Sequence, residues 1–298
     1  MTHSVAAIVG PTAVGKSAIA LEVAERLKAE IVSMDSMQIY RGMDIGTDKA
    51  TPEMRARVPH HLLDIRDASK EVSVAEFQAL ARRAIDEIAS RDMVPLLVGG
   101  SGLYFRAVVD DLRFPPTVPE VRSRLEEEAA EVGAELLYER LKERDPAAAE
   151  RIEPSNARRT IRALEVIEVT GRLFSDNTGW DSYKSLYDLR VVGLQRDRAD
   201  LDGRIEARVR QMLHDGLVQE ARALDEHGMG RTARMALGYR QVLDDPDASE
   251  LELGERIIRA TRRFARRQES WFRSDPRITW VDASDPGAVD AAVAAIGG

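Results

Sequence analysis

Two rhythms of apolar residues alternate along this chain. From Ser73 to Arg91, Val74, Phe77, Leu80, Ala81, Ala84, Ile85 and Ile88 recur at intervals of three and four, and Ser73 with Glu76 forms a capping-box pattern. The stretch predicts an amphipathic helix packed on a sheet. Short continuous apolar runs mark buried strands at Val5–Val9, 30–34, 95–98, 189–194 and 278–281, with Leu62–Ile65 as a further short strand. Helix-favouring segments separate them. One runs from Ala18 to about Ala29, one starts near Arg198 with Leu201, Ile205, Val209 and Met212 at helical spacing, and one starts at Asp285. The pattern changes after the proline cluster of residues 113–119. From there the chain is rich in Glu, Arg and Ala with helical period and no strand. Asp145-Pro146 supplies an N-cap with proline at the first helical position, and Asn156 or Ser155 caps a helix closed by Gly171. The polar stretch from Ser175 to Lys184 is expected to be a mobile loop or return linker. Strands alternating with helices predict an α/β protein interrupted by an all-helical insertion.

The strand ends carry the chemistry. Gly10-Pro11-Thr12-Ala13-Val14-Gly15-Lys16-Ser17 has the form G-x-x-x-x-G-K-[ST] between a predicted strand and a predicted helix, the context that makes the motif a phosphate cradle. Its backbone N–H groups and the helix N-terminus favour phosphate oxygens, Lys16 adds a point charge, and the Ser17 hydroxyl can hold Mg²⁺. The loop therefore binds a di- or triphosphate group. The predicted architecture becomes a P-loop NTPase-like core with a mostly parallel sheet: residues 1–114 form its first part, 115–187 the inserted helical domain, and 188–298 complete it. The second strand ends at Asp35-Ser36-Met37-Gln38, which places Asp35 near the cradle or makes it a turn cap. Residues 39–47 have no clear period and read as a functional loop. A third strand ends in Gly99-Gly100-Ser101-Gly102. No Walker-B acid stands there, which weakens an ATPase reading. His60-His61 invites a metal reading, but no further ligand stands at suitable spacing nearby.

Charge sharpens this picture. The net charge of −8 argues against a simple polycation, yet arginines cluster locally. In the segment from Glu255 to Arg273, Ile257, Phe264 and Trp271 fall on a seven-residue repeat expected to face the core. Arg256, Arg259, Arg262, Arg263, Arg266 and Arg267 cover the rest, as a solvated face or a phosphate-tracking surface. Arg158 and Arg162 share a face at i, i+4. The absence of cysteine fits a reducing compartment. No apolar run approaches the ~20 residues that span a bilayer, and nine residues before the cradle leave no room for a leader. A cytoplasmic protein without a membrane partner is expected.

In order along nearly the whole chain, several blocks resemble the bacterial type of the tRNA dimethylallyltransferase (isopentenyl-diphosphate:tRNA transferase) family. They are residues 10–17, Asp-Ser-Met-Gln-Ile-Tyr-Arg-Gly-Met-Asp-Ile-Gly-Thr at 35–47, Val-Pro-His-His-Leu at 58–62 and Val-Gly-Gly-Ser-Gly-Leu-Tyr at 98–104. Residues 151–166, Gly-Tyr-Arg-Gln at 238–241 and Ala-Arg-Arg-Gln-Glu-Ser-Trp-Phe-Arg at 265–273 continue the match. Ser17 and Ser101 stand where the family often has Thr, which keeps the hydroxyl. The resemblance implies transfer of a dimethylallyl group from dimethylallyl diphosphate to N6 of the adenine next to the anticodon on its 3′ side. It implies Mg²⁺ as cofactor and the anticodon stem-loop of tRNA as partner, with the chain acting as a monomer. The cradle, Lys16 and Arg208 (or Arg204) would bear the diphosphate charge, and Asp35 would accept the N6 proton. Ser101 would bond the adenine or hold the diphosphate end of the channel. The same resemblance implies tRNA contacts from Asp35, Ser36, Met37, Gln38, Ser101, Arg124, Arg158, Arg159, Thr160, Ile161, Arg162, Gly238, Tyr239, Arg240 and Gln241, around a flipped base.

Two rivals share parts of the pattern. A P-loop small-metabolite or nucleoside kinase predicts a short mobile lid, smaller than the insertion. A nucleotide-switched RNA-binding protein leaves the Asp35 block and the second glycine-rich strand end without purpose. The roles separate experimentally. Asp35→Ala is expected to lower turnover about 10²–10⁴-fold with little loss of tRNA affinity in a filter-binding assay. Arg158→Ala or Arg162→Ala is expected instead to weaken tRNA binding and flatten its salt dependence.

Overall fold

The computed structural model describes residues 3–176 and 182–297. It falls into two units, one containing the chain up to Asp110 and from Tyr183 onward, the other residues 111–182. In the first unit the chain forms β1 (Ser4–Val9), α1 (Lys16–Leu27), β2 (Ala29–Ser33), α2 (Pro52–Arg57), β3 (His60–His61), α3 (Val74–Ala89), β4 (Val94–Gly99) and α4 (Gly102–Val109). The second unit holds α5 (Pro119–Val132), α6 (Ala134–Arg144), α7 (Pro146–Ala149) and α8 (Ala157–Thr170). The first unit resumes with β5 (Asp188–Gln195), α9 (Arg198–His214), α10 (Leu217–Glu226), α11 (Arg231–Arg234) and α12 (Tyr239–Asp244). It closes with α13 (Glu250–Arg273), β6 (Ile278–Asp282) and α14 (Ala288–Gly297). Of the stretch 175–184, expected to be a loop or linker, residues 177–181 lie outside the described ones.

The strands pair in parallel in the order β3-β2-β4-β1-β5-β6. β1 sits inside the sheet, and Val5, Ala7 and Ile8 are fully buried, as a parallel strand covered on both faces requires. Register does the work of assembling a site. Val9 lies opposite both Gly99 of β4 and Gly193 of β5, and Ser33 of β2 lies opposite Val98. The carboxyl ends of four strands therefore finish within about two residues of one another, and the segments starting at Gly10, Met34, Gly100 and Arg196 emerge along one edge. Where the chain leaves and re-enters this unit, Leu186 N–H donates to the Val109 carbonyl and Asp110 bridges Ser185. Arg106 and Arg277 both pair with the buried Asp110 and lie 4.4 and 5.3 Å from the Tyr183 ring.

Two expectations are corrected here. The run after His61 is not a strand: the pairing stops at His60–His61, and Leu62 and Asp64 adopt positive φ. In α13 the buried seam is Leu253, Ile257, Ala260, Thr261, Ala265, Gln268 and Phe272. Phe264 is only half-buried and Trp271 is exposed, because a straight helix of 3.6 residues per turn drifts off a seven-residue repeat.

Inside the second unit, Leu125, Leu137, Leu141, Ile161 and Leu164 build a small core of their own. Asn156 caps α8 by accepting from Arg159 N–H, and Gly171 closes it in the left-handed region. Thr160 and Ile161, expected to touch RNA, are buried because they lie on the inward face of this helix. Arg162 is held within the unit. Its guanidinium donates to the carbonyls of Pro115 and Pro116 at 2.6 and 3.2 Å and to the fully buried Glu165 at 2.7 Å. Glu165 also accepts from Val118 N–H and Arg122. Arg124 pairs with Glu168 and Glu128, whereas Arg158 and Arg159 are exposed with no side-chain partner among the described residues.

Arg162 is therefore a strut of the helical unit. Arg162→Ala is expected to lower stability by about 1–3 kcal/mol in urea unfolding, because it strips a buried carboxylate of one cation. Arg158→Ala is expected to leave stability within about 0.5 kcal/mol of the unchanged protein.

Candidate active site

The glycine loop between β1 and α1 folds as its sequence predicts, with Gly15 in the left-handed region as the cap of α1. Gly10 has φ +149°, and a Cβ there would sit 2.7 Å from the Leu194 carbonyl of β5, so only glycine lets the loop leave the sheet. A phosphate loop that aims its N–H groups inward turns its carbonyls outward; two arginines take up such carbonyls and a third holds a loop side chain. Arg196, directly after β5, donates to the Val14 carbonyl at 2.9 Å; Arg204 of α9 donates to the Ala13 carbonyl at 2.9 Å. Arg208, one turn on, donates to the Thr12 hydroxyl at 3.1 Å. Lys16 bends back to the Pro11 carbonyl at 2.7 Å.

Gln268 closes the arrangement from α13. Its Oε1 accepts from Thr12 N–H at 2.9 Å and its Nε2 donates to the Gly100 carbonyl at 2.8 Å. A Cβ at Gly100 would lie 2.3 Å from that Nε2 and 3.1 Å from the Gly10 carbonyl oxygen, so a larger residue would displace the Gln268 bond. Ser101 follows as the N-cap of α4 with no hydrogen bond from its side chain to the helix.

Lys16, Ser17, Asp35, Gln38, Asp48, Arg208, Phe264 and Gln268 line one cavity beside the loop. Burial, reinforced by Arg208, lowers the Lys16 amine from 10.5 to about 8, against the opposing pull of Asp35 and Asp48. Burial raises the Asp35 carboxyl above its usual range, although Met37 N–H, Lys16 and Arg208 favour its charged form. Its Oδ1 accepts from Met37 N–H at 2.9 Å. The cavity thus holds a carboxylate with enhanced basicity next to cations. Of the 204/208 pair, Arg208 lines this cavity and Arg204 binds the loop's outer carbonyl.

The loop after Asp35 is held from below. Lys49, almost wholly buried, donates at 2.7 Å each to the Tyr40 carbonyl, Asp44 and Asp64. Glu220 of α10 accepts the N–H groups of Asp44, Ile45 and Gly46 and the Tyr239 hydroxyl. Tyr239, which the resemblance gives as a tRNA contact, is fully buried with its ring over Gly46. Burial and then Glu220 push its phenol far above the usual range. Gly238 is buried too; Arg240 and Gln241 stay partly exposed, and Gln241 Oε1 accepts from Gly238 N–H. Ser36 and Met37 are half-buried beside Asp35, and Gln38 bonds Ser33 and the Thr47 carbonyl. On α13, Arg263 and Arg266 are exposed without partners among the described residues, and Arg259 pairs within its own helix with Glu255.

No cluster of three or more His, Cys, Asp or Glu side chains able to hold a metal occurs among the described residues. His61 instead bonds Glu30 at 2.6 Å, and His60 bonds the Val58 carbonyl. Ser17 offers one hydroxyl, so a Mg²⁺ there would complete its shell with water and phosphate oxygens, as that ion commonly does. No helix among the described residues is long and apolar enough to cross a membrane.

A parallel sheet with a phosphate loop at the end of its first-numbered strand, and a basic carboxylate facing that loop, defines an α/β enzyme of the phosphate-loop class. Within that class the chain belongs to the family described as IPP transferase, whose family model matches residues 38–275. A curated tRNA dimethylallyltransferase of Kineococcus radiotolerans is 53% identical and covers 94% of this chain and 92% of its own length. The full-length tRNA isopentenylpyrophosphate transferase of Bacillus halodurans, solved by crystallography, is 42% identical with a TM-score of 0.69, covering 94% of this chain and 90% of that one. A eukaryotic dimethylallyltransferase, solved while acting on tRNA, is 25% identical with a TM-score of 0.82, covering 98% and 77%. The kinase alternative is not favoured.

Sequence reasoning passed over Arg196, Gln268 and Glu220. Gln268 left one trace, a polar residue on the buried seam of a helix; Arg196 and Glu220 left none.

The Lys16 shift carries a pH signature. Diphosphate affinity measured by calorimetry, taken relative to Lys16→Met so that the ligand's own ionisation cancels, is expected to weaken above about pH 8 as the amine loses its proton. Because the unfolded chain keeps this proton up to about pH 10.5, the cost of burying the charge fades between about pH 8 and 10.5, so Lys16 makes stability rise with pH across that window. A Lys16→Met variant is expected to bind weakly at every pH and to lose both effects.

Proposed function

We propose that this protein transfers the dimethylallyl group of dimethylallyl diphosphate to N6 of the adenine 3′-adjacent to the anticodon in tRNA, releasing diphosphate. The observation that carries this reading is the meeting of Asp35 with Lys16 and Arg208 in one cavity at the phosphate loop. An allylic diphosphate needs its leaving group stabilised, and the loop N–H groups with Lys16 and Arg208 supply fixed positive charge for that purpose. The C1–O bond breaks as a C1–N6 bond forms. The electron pair stays on the departing diphosphate and the N6 proton passes to Asp35, whose raised pKa suits it to accept one. Ser17 would hold Mg²⁺, whose charge would add to that of the cations. Ser101, at the neighbouring strand end, would meet the base. A flipped adenine fits a buried acceptor site, and the exposed arginines Arg158, Arg159, Arg263 and Arg266 would meet RNA phosphates. An acidic chain can hold RNA in this way because its positive charge is local. The relatives named above bear the same activity in their names.

The test is a transfer assay read by mass spectrometry of the RNA. Protein, Mg²⁺ and an anticodon stem-loop with consecutive adenines are incubated with dimethylallyl diphosphate or with ATP. A gain of one dimethylallyl unit, with the allylic diphosphate alone, is the expected result. Phosphate transfer from ATP to a small acceptor without RNA alkylation would overturn it.

A further inference from the structure

Arg208 already has an anion. Besides the Thr12 hydroxyl, its guanidinium meets the Asp48 carboxylate at 3.3 Å, and both side chains line the cavity. The other cation of the site, Lys16, donates to a carbonyl instead. Asp35, the other carboxylate lining this cavity, is held through its Oδ1 by the Met37 N–H. Asp48 is thus the acid that occupies the hand meant for the leaving group.

Its position comes from the backbone, not from the ion pair. Asp48 adopts φ +51°, its N–H donates to the Ile45 carbonyl, and Gln38 Nε2 reaches the Thr47 and Asp48 carbonyls at 3.0 and 3.4 Å. On either side, Glu220 grips residues 44–46 and Lys49 ties Asp44 to Asp64. This frame presents the carboxylate at the cavity whether or not Arg208 takes it. The pair is open to water, with side chains 58% and 26% exposed for Asp48 and Arg208. An ion pair so exposed changes an equilibrium by a factor of about one to five, and an incoming group of several negative charges outcompetes it.

We propose that Asp48 is a resident counter-anion of the donor site, which holds Arg208 between turnovers, yields it to the incoming diphosphate, and retakes it as the product diphosphate leaves. The inference rests on the reading of Lys16 and Arg208 as diphosphate ligands. Asp48 acts through Arg208, as a positioning residue that weakens product retention. Its field also favours the charged form of Lys16, so the same carboxylate keeps the second cation protonated while repelling the anion.

Asp48→Asn keeps the size of the side chain and tolerates the left-handed backbone, so the loop is preserved. Binding of inorganic diphosphate to the full chain, by calorimetry in Mg²⁺ and in EDTA, is the measurement. Asp48→Asn is expected to tighten binding about three- to tenfold in both conditions, from loss of the competing pair and of one repelling charge. The gain is expected to be smaller in an Arg208→Gln background, where only the share due to the repelling charge remains, as a double-mutant cycle requires of coupled residues; an equal gain in both backgrounds overturns the pairing. Unchanged affinity in Asp48→Asn overturns the counter-anion alone. Weaker binding overturns it too, and weakening confined to Mg²⁺ makes Asp48 a metal ligand instead. A wild-type chain that binds neither inorganic nor dimethylallyl diphosphate overturns the reading of the whole site.

Discussion

A loop that turns its amides toward an anion strands its carbonyls on the other side, and this structure is arranged around satisfying them. Arg196, Arg204 and Lys16 take the carbonyls of Val14, Ala13 and Pro11, and Gln268 takes the N–H of Thr12. These bonds are part-buried or exposed, and each contributes about 0.5–1.5 kcal/mol to holding the loop in shape. The braces come from β5, α9 and α13, elements far from the loop in sequence. Strand ends that finish close to one another bring them within reach. The sheet register thereby becomes a statement about chemistry as well as packing.

The same braces set the electrostatics. Arg208 adds to the desolvation that depresses the Lys16 amine, while Asp35 and Asp48 push it back. Asp35 feels the mirror image: burial raises it, cations lower it, and burial prevails. A cavity in which acid and base are moved toward each other's range can pass a proton at neutral pH. The protein's overall negative charge is irrelevant at this scale, because fields inside a partly dry cavity are set by the nearest few groups.

Much of this was legible in the residues. The phosphate loop, the five longer strands and the caps at Asn156 and Ser73 follow from spacing and turn chemistry, since local hydrogen bonds determine them. The proline cluster and the loss of strand character marked the change to helices. What the chain hid was long-range. Tyr239 stands in a segment that looks solvent-facing, and only Glu220 and Gly46, brought against it by the fold, explain its burial. Arg162 looks like a partner for phosphate until the Pro115 and Pro116 carbonyls come into view. A charged side chain carries no local sign of whether it faces solvent or a buried acid, and β3 was misplaced by two residues because a two-residue strand has no period to read.

The order in which the braces occur along the chain has a consequence for synthesis. The phosphate loop stands at residues 10–17, whereas Arg196, Arg208 and Gln268 follow the whole helical insertion. A chain not yet made as far as Gln268 therefore carries the loop without its full set of braces. The shape of the loop thus depends on residues made 182 to 256 positions after those they hold, and a chain cut before Gln268 would lack the side chain that joins Thr12 to Gly100.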